Sequence, residues 1–172
     1  MALTQVIGRG LGTQTTLAGS NTLVLDTDGI MTRPLQPAFL VKPTSSQDNI
    51  PINANTNIVF GTEIYDQNGD FASNTFTAPV TGRYQLNVLI YVQNLDTATD
   101  WVQCSLVTSN RTLYDIVEPD FSSDLQYFVF KLSVLIDMDA SDTAYVRFEL
   151  HNSGSSQMDV QTNSFFSGFL AC

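Results

Sequence analysis

From Phe128 to Met138 every second residue is apolar (Phe128, Phe130, Leu132, Val134, Ile136, Met138), and the alternate positions still carry Tyr127, Val129 and Leu135. A period of two sends successive side chains to opposite faces of a strand, so this segment is a strand that is apolar on both sides. Tyr84, Leu86, Val88, Ile90 and Val92 are likewise backed by Leu89 and Tyr91, and Phe166 and Leu170 by Phe165 and Phe169. The segment 143–151 behaves differently: Ala144, Val146, Phe148 and Leu150 alternate with Thr143, Tyr145, Arg147, Glu149 and His151. Such a strand has one wet face.

No stretch from Ala38 onward has a helical period, and the apolar runs are separated by Gly, Asn, Asp and Ser clusters, so the domain reads as all-β. Strands are expected near 38–42, 58–65, 75–78, 84–93, 101–108, 113–117, 126–138, 143–151 and 158–170. That many short strands suit a two-sheet sandwich. Residues 1–37 differ. Gly8, Gly10, Gly12 and Gly19 interrupt a Thr-rich stretch with no sustained period, and Pro34 and Pro37 close it. This is an extended N-terminal arm ahead of a head spanning 38–172. Inside the arm, 22–26 and 30–33 flank the turn Thr27-Asp28-Gly29, a hairpin signal that exposes Leu23, Val24, Leu25, Ile30 and Met31 as docking residues. Asn-rich 49–57 reads as a loop whose amides bond their own backbone.

A sandwich hides only one face of each sheet. The core is expected to hold Tyr84, Leu86, Val88, Phe128, Phe130, Leu132, Phe148 and Phe166. Leu89, Tyr91, Tyr127, Val129, Leu135, Phe165 and Phe169 are then left on the outside, where another subunit is the natural cover. The other readings are that the arm folds back over this face, or that the face is a tolerated apolar surface.

Chemistry is sparse. Seven basic and 17 acidic residues give a net charge of −10, and the few Lys and Arg are scattered, which disfavours nucleic acid and anionic membranes as partners. No run of about 18 apolar residues offers a membrane span, and the first ten residues carry no basic leader and apolar run, so no secretory route is expected. His151, the one histidine, sits on a wet face and cannot alone build a triad or a metal cage. Cys104 lies in phase with Val102 and Leu106, as a buried inert thiol does, and with Cys172 it makes no disulfide framework; both are read as free thiols. Asp137, Asp139, Ser141 and Asp142 cluster oxygen ligands of the kind calcium takes. They fail the EF-hand pattern, with Asp142 where Gly belongs and Phe148 where Glu belongs. A solvated hairpin loop and a calcium site built by symmetry-related carboxylates both stay open. Asp96, Asp100, Asp120 and Asp124 have the same standing. Asn110-Arg111-Thr112 is a glycosylation sequon by pattern only. No Gly-rich phosphate loop opens a helix, no other cofactor is implied, and no enzyme constellation is present.

One spacing is specific. Phe60, five residues, Asp66, four, Phe71, four, Phe76, five, then Gly82-Arg83-Tyr84 resembles the signature of the complement globular-head family, relatives of tumour necrosis factor. The ending Phe166-Ser167-Gly168-Phe169-Leu170 resembles that family's closing strand, and Pro79 to Gly82 fits its turn. The interval from Phe71 to Phe76 is two residues shorter than the usual pattern, and Leu86 stands where the family generally has Phe. The resemblance spans Ala38 to Leu170. It implies a jelly roll of about ten strands that assembles as a homotrimer with aromatic-rich inner strands around the axis, and some family heads hold calcium near the apex.

Animal members are secreted behind a collagen-like or coiled-coil stalk, and neither repeat occurs here. The arm, with Asp26-Thr27-Asp28-Gly29 and Arg33-Pro34-Leu35-Gln36-Pro37-Ala38-Phe39, instead resembles the lead-in of structural proteins from tailed bacteriophages that carry this head. The resemblance implies a non-enzymatic virion protein, made in the host cytoplasm and displayed on the virion surface. Its arm would dock onto the major capsid protein or another virion component. A capsid decoration (cement) protein is the leading expectation. The alternative is a tail-fibre tip or lectin-like adhesin that binds host-surface glycan or protein, which Trp101 and Tyr145 would serve.

Overall fold

The computed structural model describes residues 14–17, 23–26, 28–151 and 158–172. The chain divides into two compact units, Met1–Gln36 and Pro37–Cys172. In the first, β1 (Gln14–Leu17), β2 (Leu23–Asp26) and β3 (Met31–Thr32) form a sheet in that order. The β2–β3 hairpin pairs Val24 with Thr32 and Leu25 with Met31, and Gly29 supplies its turn at φ 81°. β1 is a strand that the Thr-rich sequence does not announce; it pairs Thr15 with Leu25 and Thr16 with Val24, a ladder made by backbone groups whatever the side-chain period. Of the expected docking residues, Ile30 and Met31 are 57% and 62% exposed, Leu23 is half-buried, and Leu25 is placed only by its ladder partners. Val24 is buried and therefore offers no contact surface. Gly8, Gly10, Gly12, Gly19, Thr22 and Thr27 lie outside the described residues.

The second unit has thirteen strands among the described residues and no helix: β4 (Ala38–Lys42), β5 (Gln47–Ile50), β6 (Asn55–Asn57), β7 (Thr62–Asp66), β8 (Phe71–Ala72), β9 (Thr75–Thr77), β10 (Gly82–Leu95), β11 (Trp101–Thr108), β12 (Thr112–Val117), β13 (Leu125–Met138), β14 (Thr143–His151), β15 (Met158–Val160) and β16 (Phe165–Leu170). β10 is the spine of one sheet. Along one side it pairs with β13 from Gly82↔Met138 to Leu95↔Leu125. Along the other it pairs with β16 and then β15, which lead to β4 with β7 and to β5. The second sheet runs β12-β11-β14-β9-β8, with β6 also on β14. This is an antiparallel two-sheet jelly roll.

The core lies between the sheets. Tyr84, Leu86, Val88, Ile90 and Val92 of β10, with Phe130, Ile136 and Met138 of β13, meet Val102, Cys104 and Leu106 of β11 and Ala144, Val146, Phe148 and Leu150 of β14 in one buried cluster. Rings join the layers: Phe130 meets Phe148 edge-on at 5.1 Å, and Phe39 stacks on Phe76 at 4.7 Å. Each large apolar side chain removed from water contributes about 1.5–3 kcal/mol. Phe128 and Leu132, expected inside, are only partly buried and pack against the cluster from its edge, because β13 is a sheet-edge strand.

Three boundaries correct the sequence reading. The strand expected at 58–65 begins only at Thr62. Ile58 and Phe60 still point inward, but side chains take up their neighbours' backbone groups: Gln47 Oε1 accepts from Val59 N at 2.8 Å, Gln47 Nε2 donates to Val59 O at 3.1 Å, and Asn74 Oδ1 accepts from Phe60 N at 2.8 Å. The strand expected at 158–170 is two strands, divided by a turn in which Ser164 N donates to Gln161 O at 3.0 Å. The expected loop 49–57 holds the end of β5, an Ile52–Leu150 bridge and β6, with Asn49 and Asn53 at φ 58° and 54°. Asn tolerates that left-handed backbone, which lets the chain turn between short strands.

The residues of the sequence signature converge. Phe60, Phe71 and Phe76 are buried around Phe39 and Phe166, and Phe76 leans on Tyr84 at 5.5 Å. The Tyr84 hydroxyl donates to Val80 O at 2.7 Å. Asp66 closes the turn into β8 by accepting from Asp70 N at 3.0 Å and Phe71 N at 2.8 Å. Gly82 leaves room for the chain end: a Cβ there would stand 2.8 Å from Cys172 O.

Candidate functional site

The inward residues of β10 are almost fully buried, which fixes Gln85, Asn87, Leu89, Tyr91 and Gln93 on the opposite face. Register extends that face sideways. On β13, Leu135 lies beside Gln85, Ser133 beside Asn87, Lys131 beside Leu89, Val129 beside Tyr91 and Tyr127 beside Gln93. On β16, Phe169, Ser167 and Phe165 lie beside Gln85, Asn87 and Leu89. All seven residues expected at a subunit contact therefore share one outward face. Tyr127 and Leu135 are 53% and 54% exposed, Phe169 45% and Val129 36%, while Leu89, Tyr91 and Phe165 are half-buried. The Tyr91 and Tyr127 rings stack at 5.8 Å and 20°.

The face is not uniformly apolar. Between Leu135 and Phe169 at one end and the Leu89, Phe165, Tyr91, Val129 and Tyr127 group at the other runs a polar row. Gln85 Nε2 donates to Asn87 Oδ1 at 3.1 Å and to Ser133 Oγ at 3.0 Å, and Ser133 Oγ donates to the same Asn87 oxygen at 2.8 Å. The sequence reading missed this row. Its signal was parity, since these residues share phase with Leu89 and Leu135, but their mutual contact needs the register of β10 on β13.

The other candidates are placed as follows. Asp137 pairs with Arg111 at 2.7 Å, both half-exposed, a surface contact worth about 0–1 kcal/mol. Asp142 Oδ2 accepts from Asp139 N at 2.8 Å and Asn110 Nδ2 at 2.9 Å, and Thr81 Oγ1 donates to Asp139 Oδ1 at 3.4 Å. These carboxylates brace a hairpin, and among the described residues no three His, Cys, Asp or Glu side chains stand close enough to hold a metal ion. Cys104 is buried, and burial above all, with the Asp115 charge, pushes its thiol far above the ordinary range, the opposite of what a nucleophile needs. Cys172 is exposed and both thiols are free. His151 stacks flat on Trp101 at 5.1 Å and 4°, with Nδ1 3.4 Å from Asp100 Oδ2. Tyr145 is half-buried on the outer side of the second sheet, beside Val107. No helix is long and apolar enough to cross a membrane among the described residues.

A family model, the C1q domain, matches residues 38–171. The chain belongs to the C1q domain family. Solved C1q-like and tumour-necrosis-factor-like heads share its fold at low identity. The globular domain of zebrafish complement 1qA is 17% identical over 80% of this chain and 98% of that one, with a TM-score of 0.59. Murine APRIL is 9% identical over 78% and 98%, at 0.57. Eiger TNF from S. frugiperda is 14% identical over 80% and 92%, at 0.52. No curated protein matches the chain. C1q and TNF domains are generally non-enzymatic ligand-binding or structural modules, and family members form homotrimers.

Proposed function

We propose that this chain is a non-enzymatic structural protein of a tailed-bacteriophage virion: three C1q heads joined through the outward faces of β10, β13 and β16, with the Met1–Gln36 unit as the arm that docks each onto the particle. The observation that supports it is the outward face itself. Leu89, Tyr91, Tyr127, Val129, Leu135, Phe165 and Phe169 lie on one outward face as two apolar groups either side of the Gln85–Asn87–Ser133 row, with Tyr127, Leu135 and Phe169 the most exposed. A surface of that kind is uncommon on a monomer, and a three-fold arrangement buries it without leaving an open end.

Three identical arms on one rigid head bind multivalently, so modest contacts through Ile30 and Met31 give long residence. Three arms on one head suit a capsid decoration protein that bridges neighbouring capsomers, which is the leading placement. The flat Trp101–His151 stack favours a second reading, an adhesin at a tail-fibre tip, because sugars are held by aromatic faces with polar groups beside them. Locating and counting the protein in particles separates the two. Hundreds of copies over the shell support decoration, a few at the tail support the adhesin, and absence from particles refutes both.

A further inference from the structure

The chain carries one Asn-Gly pair, Asn68-Gly69, at the apex of the turn 67–70 between β7 and β8. The turn is tied down at its ends. Gln67 N donates to Ala38 O at 2.9 Å, and the Asp66 carboxylate accepts from Asp70 N at 3.0 Å and from Phe71 N at 2.8 Å. The apex stands clear of the rest: Asn68 and Gly69 are both exposed, and a Cβ on Gly69 would meet nothing within 4 Å. Gly69 holds φ 74°, a left-handed backbone that glycine takes without strain. Among the described residues no group accepts a hydrogen bond from Gly69 N. Other exposed Asn residues are followed by a nitrogen that is engaged: Ile58 N donates to Val146 O at 2.9 Å, Arg111 N to Thr108 Oγ1 at 3.1 Å and Ser164 N to Gln161 O at 3.0 Å.

Asn is a chemically labile residue, and its weak point is the backbone nitrogen that follows it. Attack of Gly69 N on Asn68 Cγ closes a five-membered ring, an intramolecular step of high effective concentration in which the attacking residue brings no side chain to obstruct it. The nitrogen gives its proton to hydroxide, the new C–N bond forms, and the Cγ–Nδ2 bond breaks as ammonia leaves with a proton taken from water. Water then opens the cyclic imide at either of its two carbonyl C–N bonds and leaves aspartate or isoaspartate at position 68. The step consumes only water. We infer that Asn68 is a self-modification site, a deamidation clock that loosens the β7–β8 turn as the molecule ages. The product adds a negative charge between Asp66 and Asp70, which like charges disfavour. Isoaspartate also lengthens the backbone by a methylene inside the turn whose Asp66 bonds seat Phe71 in the core.

The full chain is incubated in warm, mildly alkaline buffer, sampled over time, digested and mapped by mass spectrometry, with folding followed by circular dichroism. The expected result is a gain of one mass unit on the peptide that contains Asn68, at least tenfold faster than on the peptides that contain Asn57, Asn110 or Asn163. Both the aspartate and the isoaspartate forms should separate by chromatography, and aged chain should melt at a lower temperature than fresh chain. Gly69→Ala is expected to slow the conversion at least tenfold, and Asn68→Gln, which keeps the glycine and its backbone, serves if the alanine variant does not fold and should abolish the early mass gain. An Asn68 peptide that converts no faster than the other three, an undiminished rate in the variants, aspartate without isoaspartate, or aged chain that melts like fresh chain overturns the proposal.

Discussion

Gly168 of β16 lies directly beside Leu86 of β10, so closely that a methyl group on Gly168 would stand 2.6 Å from Leu86 Cδ2 and 2.8 Å from Phe39 Cε1. Both neighbours are fully buried, and Gln85 O stands at 3.2 Å behind them, so none can swing away cheaply. Gly168→Ala is expected to destabilise the head by about 1–3 kcal/mol, the cost of forcing extra volume into a packed core. Chemical denaturation checks it, and an unchanged midpoint would mean that β16 is not packed as described.

Asp70 gives a pH-dependent test. Burial raises its carboxyl above the ordinary value, the Asn68 hydrogen bond opposes this, the Asp66 charge adds to it, and Oδ2 is buried without a partner. The folded state therefore holds the Asp70 proton more tightly than the unfolded state does. The contribution of the protonated form is fully present below the unfolded pKa and is lost as pH rises through the folded one. Asp70→Asn should raise the melting temperature at neutral pH and give progressively less gain toward about pH 4, near the ordinary Asp value. A gain that is the same at both pH values contradicts the assignment.

Asn87 distinguishes a buried outward face from a wet one. Its Oδ1 is the shared acceptor for Gln85 and Ser133. In a subunit contact, Asn87→Ala strands those donors at about 1–3 kcal/mol per group, whereas beside water the loss is small. We expect the midpoint concentration for subunit dissociation to rise at least tenfold, with little change in the melting of dissociated chains. Equal dissociation curves for the two proteins would place the row outside the contact.

The arm and head should separate cleanly. Pro37 O accepts from Leu170 N at 3.0 Å, which ties Pro37 to the head and places the dividing point after Gln36 and not after Pro37. Deleting residues 1–36 is expected to leave a soluble oligomer of unchanged stoichiometry that no longer binds particles. Loss of the oligomer would assign assembly to the arm.

What was legible in the sequence was parity. β11 and β14 lie where alternation places them, at Trp101–Thr108 and Thr143–His151, because one face of each is buried in the core. The face expected to be wet is mostly half-buried instead, with Ser105 1% exposed and only His151 fully open. The two-faced character of β10, β13 and β16 was equally plain. Contacts made at a distance were not. The late start of β7 depends on Gln47 and Asn74 bonding Val59 and Phe60 across 12 and 14 residues. The polar row needs Asn87 to meet Ser133 across β10 and β13. Periodicity carries no information about which side chains such pairings bring together.

The outward face of β10, β13 and β16 keeps Tyr127, Leu135 and Phe169 exposed in a single copy, and three copies are expected to close over it. Light-scattering mass of the full chain at micromolar concentration tests this directly, with Tyr91→Lys/Tyr127→Lys as the control that charges the stacked pair. The account predicts three times the 18.9 kDa chain mass for the unmodified protein, and monomer or aggregate for the variant. A mass of 18.9 kDa for the unmodified protein, or an intact trimer in the variant, would contradict it.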